Sequence, residues 1–148
     1  MRLFSEITRE LQRNTAIGFS LPQIANKEDL TREKEINSIW KTFNQIQLRE
    51  HVANGDTVIV DITADWCMTC KYNKFVVLDN HFMLSYYTKH KIITMRADYT
   101  AANKEINNFL ARYNQRGIPF NIIYSKKYPQ GLILPSILKI SDVLSAIK

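Results

Sequence analysis

Residues 57–63 read Thr-Val-Ile-Val-Asp-Ile-Thr, an apolar, β-branched run interrupted by a single acid. That is the pattern of a strand covered on both faces, which requires further layers of structure on either side of it. The next residues are Ala64-Asp65-Trp66-Cys67-Met68-Thr69-Cys70-Lys71, and they hold both cysteines of the chain. A helical stretch over 70–78 follows directly, so the cysteine pair falls where a buried strand feeds a helix. Farther along, the spacing predicts a helix over 80–90, a second buried strand over 91–98, and a helix over 102–115 on the face of Ile106, Phe109, Leu110 and Tyr113, with Gly117 as its stop signal. Residues 119–125 and 132–135, joined by a turn, predict an antiparallel hairpin, and Ser141 is the expected cap of a closing helix.

Upstream of the first strand, Ile36, Ile39, Trp40 and Phe43 follow helical spacing, and a second helical stretch over 45–53 ends at Asn54-Gly55-Asp56. The order from residue 36 is helix, strand, helix, strand, helix, strand, strand, helix. Such alternation predicts an α/β protein whose mixed sheet has a parallel core and antiparallel strands at one side. A chain of 148 residues suits one such domain. We therefore expect residues 36–148 to form it. Residues 1–35, with a short amphipathic helix over 3–12 and a loosely packed stretch over 14–30, are expected to be an arm or linker.

The net charge of +6 lies wholly in residues 36–148, because residues 1–35 carry six basic and six acidic groups. The excess is dispersed and lacks an aromatic-basic or helix-turn-helix pattern, so nucleic acid is not an expected partner. No run approaches the ~20 apolar residues of a membrane-spanning helix. The opening residues, Met1 to Gln12, are too polar and acidic for a signal peptide. Any membrane link is expected to come through an attached or partner domain. A monomer is expected.

Two cysteines separated by two residues at the start of a helix have a definite chemistry open to them. Unpaired backbone N–H groups there stabilise a thiolate, and a thiol's ordinary pKa of about 8.5 can fall to ~7 or below in such a motif. On this reading Cys67 is the nucleophile, and Cys70, one turn on, resolves a mixed disulfide. A zinc site would need ligands that no second cysteine pair or finger-spaced histidines provide. A c-type haem would need a histidine where Lys71 stands. Two inert core cysteines are the remaining alternative. No cofactor and no metal are expected.

The combination Val60-Asp61-Ile62-Thr63-Ala64-Asp65-Trp66-Cys67-Met68-Thr69-Cys70-Lys71, with Gly117-Ile118-Pro119 some fifty residues later, resembles a thioredoxin-fold oxidoreductase. With Trp40 and Phe43 upstream and Asp98-Tyr99-Thr100 downstream, it is similar to the C-terminal thioredoxin-like domain of DsbD-type transmembrane thiol:disulfide interchange reductases. The resemblance implies a thioredoxin-like fold with a mixed central sheet flanked by helices, and protein-disulfide reductase activity through Cys67 and Cys70. It implies that Asp61 accepts the Cys70 proton, that Pro119 is a cis-proline facing the disulfide, and that Trp66, Met68, Ile118 and Pro119 meet the substrate. Asp65 is read as a helix cap.

By the same resemblance, electrons arrive from a transmembrane donor and leave to downstream thiol-disulfide proteins on the periplasmic side of a bacterial inner membrane. A free-standing cytoplasmic thioredoxin and a redox-inactive binding module of the same fold are the alternatives. One departure stands out: the family usually has an acid one turn beyond the second cysteine, and this chain has Lys74.

Overall fold

The computed structural model describes residues 26–148. The helix expected over 3–12, and the arm as far as residue 25, lie outside the described residues. The chain divides into two units, Met1–Glu35 and Ile36–Lys148. Of the first, residues 27–35 belong to the opening turns of helix α1 (Lys27–Ile39). Residues 27–30, read from the sequence as loose linker, are helical: the stretch is rich in Lys, Glu and Arg, and Glu28 and Asp29 sit in the first turn, where acids favour a helix start.

The second unit is built on a five-stranded sheet in the order β1-β3-β2-β4-β5. The strands are β1 (Lys41–Thr42), β2 (Val58–Thr63), β3 (Ile93–Asp98), β4 (Phe120–Tyr124) and β5 (Leu132–Ile133). β1, β3 and β2 run parallel, while β4 and β5 pair antiparallel, so the sheet is mixed as the element order implied. All six residues of β2 are buried. Helices α2 (Gln45–Ala53) and α5 (Lys104–Arg112) cover one face of the sheet. There Val58, Val60 and Ile62 pack with Phe43, Leu48, Met95, Phe109 and Phe120.

The other face lies under a π-helical turn (Lys74–Leu78), α4 (His81–Lys89) and α6 (Ile140–Ile147), where Ile59 and Ile123 meet Trp40, Leu78, Met83, Tyr87 and Val143. Each fully buried aliphatic side chain contributes about 1.5–3 kcal/mol, so the two faces together stabilise the stack that β2 demands. Among the described residues no helix is long and apolar enough to cross a membrane.

Three local expectations are corrected. Trp40 and Phe43 do not continue a helix: α1 stops at Ile39, whose carbonyl accepts from the Thr94 hydroxyl at 2.7 Å, and Lys41 and Thr42 pair with Met95 and Arg96 as a short edge strand. In extended chain, residues three apart point to opposite faces, and Trp40 and Phe43 enter opposite cores. The stop of α5 is Asn114 at φ +55°, not Gly117; Gln115 N–H donates to the Leu110 carbonyl and Asn114 N–H to that of Ala111. Ser141 lies inside α6, which starts after Lys139, whose N–H donates to the Asp142 carboxylate at 2.8 Å.

Gly131, in the turn before β5, has φ +90°, and a Cβ there would lie 2.4 Å from Ile122 Cδ1 and 2.9 Å from Tyr124 Cε1. Gly117 has no atom within 4 Å of the same position. Gly131→Ala should therefore lower unfolding free energy by about 2–4 kcal/mol, adding left-handed strain to overpacking. Gly117→Ala should stay within ~0.5 kcal/mol of the parent. Urea unfolding of both variants checks the contrast, and equal midpoints would refute it.

Candidate functional site

β2 ends at Thr63, and four residues later Cys67 opens helix α3 (Met68–Asn73). Cys67 has extended backbone and caps the helix with its own sulfur, which accepts from the Cys70 N–H at 3.2 Å. Asp65, read from the sequence as the cap, does not fill that position. Cys67 and Cys70 form a disulfide across a Cα separation of 5.2 Å. Cys70 is 1% exposed and Cys67 7%, so Cys67 is the more accessible of the two.

Ala64, Cys67 and Cys70 make a small apolar cluster with Ile118 packed against it, and the Ile118–Pro119 peptide bond is cis. The tertiary structure thus brings residues 64–70 and 118–119 together across some fifty positions of sequence. Trp66 and Met68 flank Cys67 in the chain and are largely exposed. Trp66 is held in place: its Nε1 donates to the Thr100 carbonyl at 3.2 Å, while the Thr100 hydroxyl accepts from Asp65 N–H at 3.0 Å. Thr100 in turn donates to Asp98 through both its hydroxyl and its N–H. The hydroxyl bond, then the backbone bond, hold the Asp98 carboxyl below the usual range.

Asp61 lies on β2 on the face shared with Ile59, the face that the π-helical turn covers. It is 1% exposed, and burial pushes its carboxyl above the ordinary value of 3.8, with Arg96 opposing the rise. Arg96 sits directly opposite in the register of β3 and donates from Nε to Asp61 Oδ2 at 2.8 Å. The same guanidinium reaches Asp79 with both terminal nitrogens, at 2.9 and 3.3 Å, and its carbon lies 4.1 Å from the Trp40 ring centroid.

Neither Arg96 nor Asp79 was singled out from the sequence. A signal was present: the strand over 57–63 carries one acid amid apolar residues, and in the strand over 91–98 Arg96 stands between Met95 and Ala97. Unpaired charges are rarely buried, so opposite charges on two buried strands point to each other. A cleft of about 300 Å³ opens beside this network, lined by Trp40, Thr63, Asp65, Lys74, Arg96 and Asp98 among others.

A family model described as thioredoxin-like matches residues 40–126. The thiol:disulfide interchange protein DsbD of Yersinia pestis is 29% identical over 84 residues, which is 56% of this chain and 14% of that protein. This chain therefore spans only a small part of the length of the curated relatives it matches. Among solved structures, the C-terminal domain of Neisseria meningitidis DsbD in its oxidised form aligns with TM-score 0.53 at 18% identity, covering 71% of this chain and 94% of that one. A DsbH oxidoreductase aligns with TM-score 0.56, also at 18% identity, covering 73% and 84%. The fold is thioredoxin-like.

Because the folded protein holds the Asp61 proton more tightly than an unfolded chain does, the contribution of this residue is fully present below pH 3.8 and is lost as pH rises through the higher folded value. Asp61→Asn removes that slope. The stability of the variant minus that of the parent should grow between pH 4 and pH 8, by roughly 1.4 kcal/mol for each unit by which the two ionisations differ. Thermal melts across that range measure it, and a difference that is flat or falls with pH contradicts the assignment.

Proposed function

This chain belongs to the thioredoxin-like family as a thiol-disulfide oxidoreductase with DsbD homology, and from that premise we propose that it reduces disulfides of partner proteins through Cys67 and Cys70. The observation that carries this reading is the Cys67–Cys70 pair itself: a disulfide at the carboxyl end of the central strand, with Cys67 the more exposed of the two and Ile118 packed beside it.

In the reduced protein the Cys67 thiolate attacks one sulfur of a partner disulfide. The Cys67–partner bond forms, the partner's own S–S bond breaks, and the displaced sulfur leaves with the electron pair. Cys70 then gives up its proton to Asp61 and attacks the Cys67 sulfur. The Cys67–Cys70 bond closes, the second partner sulfur leaves as thiolate, and two electrons have passed to the partner. A donor dithiol restores the pair by the same exchange in reverse. Trp66, Met68, Ile118 and Pro119 form the surface on which the partner lies, with the Ile118 backbone pairing to an extended segment.

In the reading we favour, residues 36–148 work as the terminal domain of a DsbD-like reductase on the periplasmic side of a bacterial inner membrane. A transmembrane domain or protein donates the electrons, downstream thiol-disulfide proteins accept them, and residues 1–35 serve as arm or linker. DsbD homology over 84 residues supports this.

Insulin reduction in the presence of dithiothreitol should be accelerated by the wild type and not by Cys67→Ser; acceleration unchanged by that substitution removes the proposal. Cys70→Ala should accumulate a covalent complex with a disulfide-bearing protein that dithiothreitol releases. Its absence, with Cys67 still alkylatable, overturns the order of attack.

A further inference from the structure

Away from the cysteines, α2, α5 and the turn between β4 and β5 enclose a cleft of about 280 Å³. Leu48, Phe109 and Tyr124, all buried, form its floor, and Val52 and Pro129 extend the apolar wall. Arg49 and Arg112 stand in the same lining and are exposed. No aspartate or glutamate lines the cleft, and neither arginine makes a salt bridge among the described residues. An apolar floor beneath uncompensated guanidinium charge is the complement of a molecule that carries an anion on an apolar body.

Arg112 is held in place without being neutralised. With its amide turned to satisfy both neighbours, the Gln45 side-chain oxygen accepts from the two terminal nitrogens of Arg112 at 2.6 and 2.9 Å. A neutral amide fixes the guanidinium plane and leaves the charge for another partner, and a guanidinium presents further N–H donors in a fork that fits a carboxylate. Glu105 lies outside the lining, and its Oε1 accepts from the Gln45 backbone N–H at 2.9 Å. The Tyr124 hydroxyl meets that of Tyr113, which also donates to the Gln130 carbonyl at 3.4 Å. Burial, then the Tyr113 hydrogen bond, push the Tyr124 phenol above its ordinary value of 10.0, with Arg112 opposing the rise. The phenol therefore stays neutral and does not cancel the arginines.

We propose that this cleft binds a small aromatic carboxylate, whose carboxylate pairs with Arg112 and Arg49 at the rim while its ring lies on Leu48, Phe109 and Tyr124. The volume falls at the lower end of the ~300–1,000 Å³ usual for small organic ligands, so the body is one or two rings. Aromatic side chains on the floor favour a flat body over an alkyl chain, because ring pairs gain beyond their buried area. A bare phosphate would meet the arginines and leave the floor uncovered. Ala64, Cys67, Cys70 and Ile118, which cluster at the disulfide, do not line this cleft, so the proposal does not rest on the redox reading.

The test uses the full chain with its disulfide intact and 2-naphthoate as the probe. Calorimetric titration should show saturable binding with Kd on the order of 0.1 mM, and the methyl ¹³C resonances of Leu48 and Val52 should shift with the same midpoint. 2-Naphthamide, which keeps the rings and loses the charge, should bind roughly tenfold more weakly, and Arg112→Gln should weaken 2-naphthoate by a similar factor. Arg49→Gln should weaken it in the same direction. Ala53→Trp, which sends an indole into the cleft from an exposed position on α2, should abolish binding in a protein that still melts cooperatively. Arg116→Gln, which removes an exposed arginine outside the lining, should leave the affinity unchanged.

Absence of saturable binding up to about 10 mM, equal affinities for acid and amide, or displacement of 2-naphthoate by equimolar inorganic phosphate overturns the proposal. So does affinity that survives Ala53→Trp, or that falls equally in Arg112→Gln and Arg116→Gln, since the second pattern reports only the net charge of the protein. None of these readouts uses the thiols. A wild type that fails to reduce insulin removes the functional reading above and leaves the binding result standing.

Discussion

A carboxylate in the middle of a fully buried strand is the constraint around which this domain is arranged. Asp61 cannot remain charged in that place without a cation, and cannot lie between two apolar layers without neighbours that accept its polarity. Arg96 supplies the charge from the adjacent parallel strand, through a 2.8 Å bond at matched register. That requirement links β2 to β3 in one alignment, since sliding the strands by one residue would turn Arg96 to the opposite face. It also draws in Asp79 and the Trp40 ring, which pack against the same guanidinium. The end of the π-helical turn and the start of the edge strand are thereby tied to the sheet.

The disulfide depends on this frame. Cys67 lies just beyond the carboxyl end of β2, where the strand stops and the backbone N–H groups of α3 are free to meet the sulfur. The opposite wall, Ile118, lies two residues before the antiparallel strand that pairs with the other side of β2. The Asp98–Thr100 loop follows β3 and fastens Trp66 beside the pair. Three consecutive strands of the sheet thus each lead to one wall, and a cysteine with 7% exposure is left at their meeting point.

The elements that the sequence made legible are those whose pattern is local and redundant. The run over 57–63 has one reading because six buried positions in a row suit no exposed helix, and the predicted and observed strands differ by one residue. The face of α5 was legible for the same reason: Ile106, Phe109 and Leu110 repeat at helical spacing and are buried. Trp40 and Phe43 were misread because a three-residue spacing fits both one helix face and the two opposite faces of extended chain. The caps were misread where several polar residues compete: Asn114, two residues past the end of α5, takes the left-handed conformation that Gly117 was expected to provide.

What the sequence determined by itself is the presence of a buried strand carrying an acid, a helix opening on a cysteine, and a second cysteine one turn later. These are short-range facts, set by side-chain shape, backbone capping and periodicity within a dozen residues. Only the tertiary structure decided that Arg96 answers Asp61, that Asp79 shares it, and that Ile118 packs against the cysteines. Those are pairings between segments 17 to 51 residues apart. Strand order and register choose them, because a charge can leave water only where the whole fold has placed its partner.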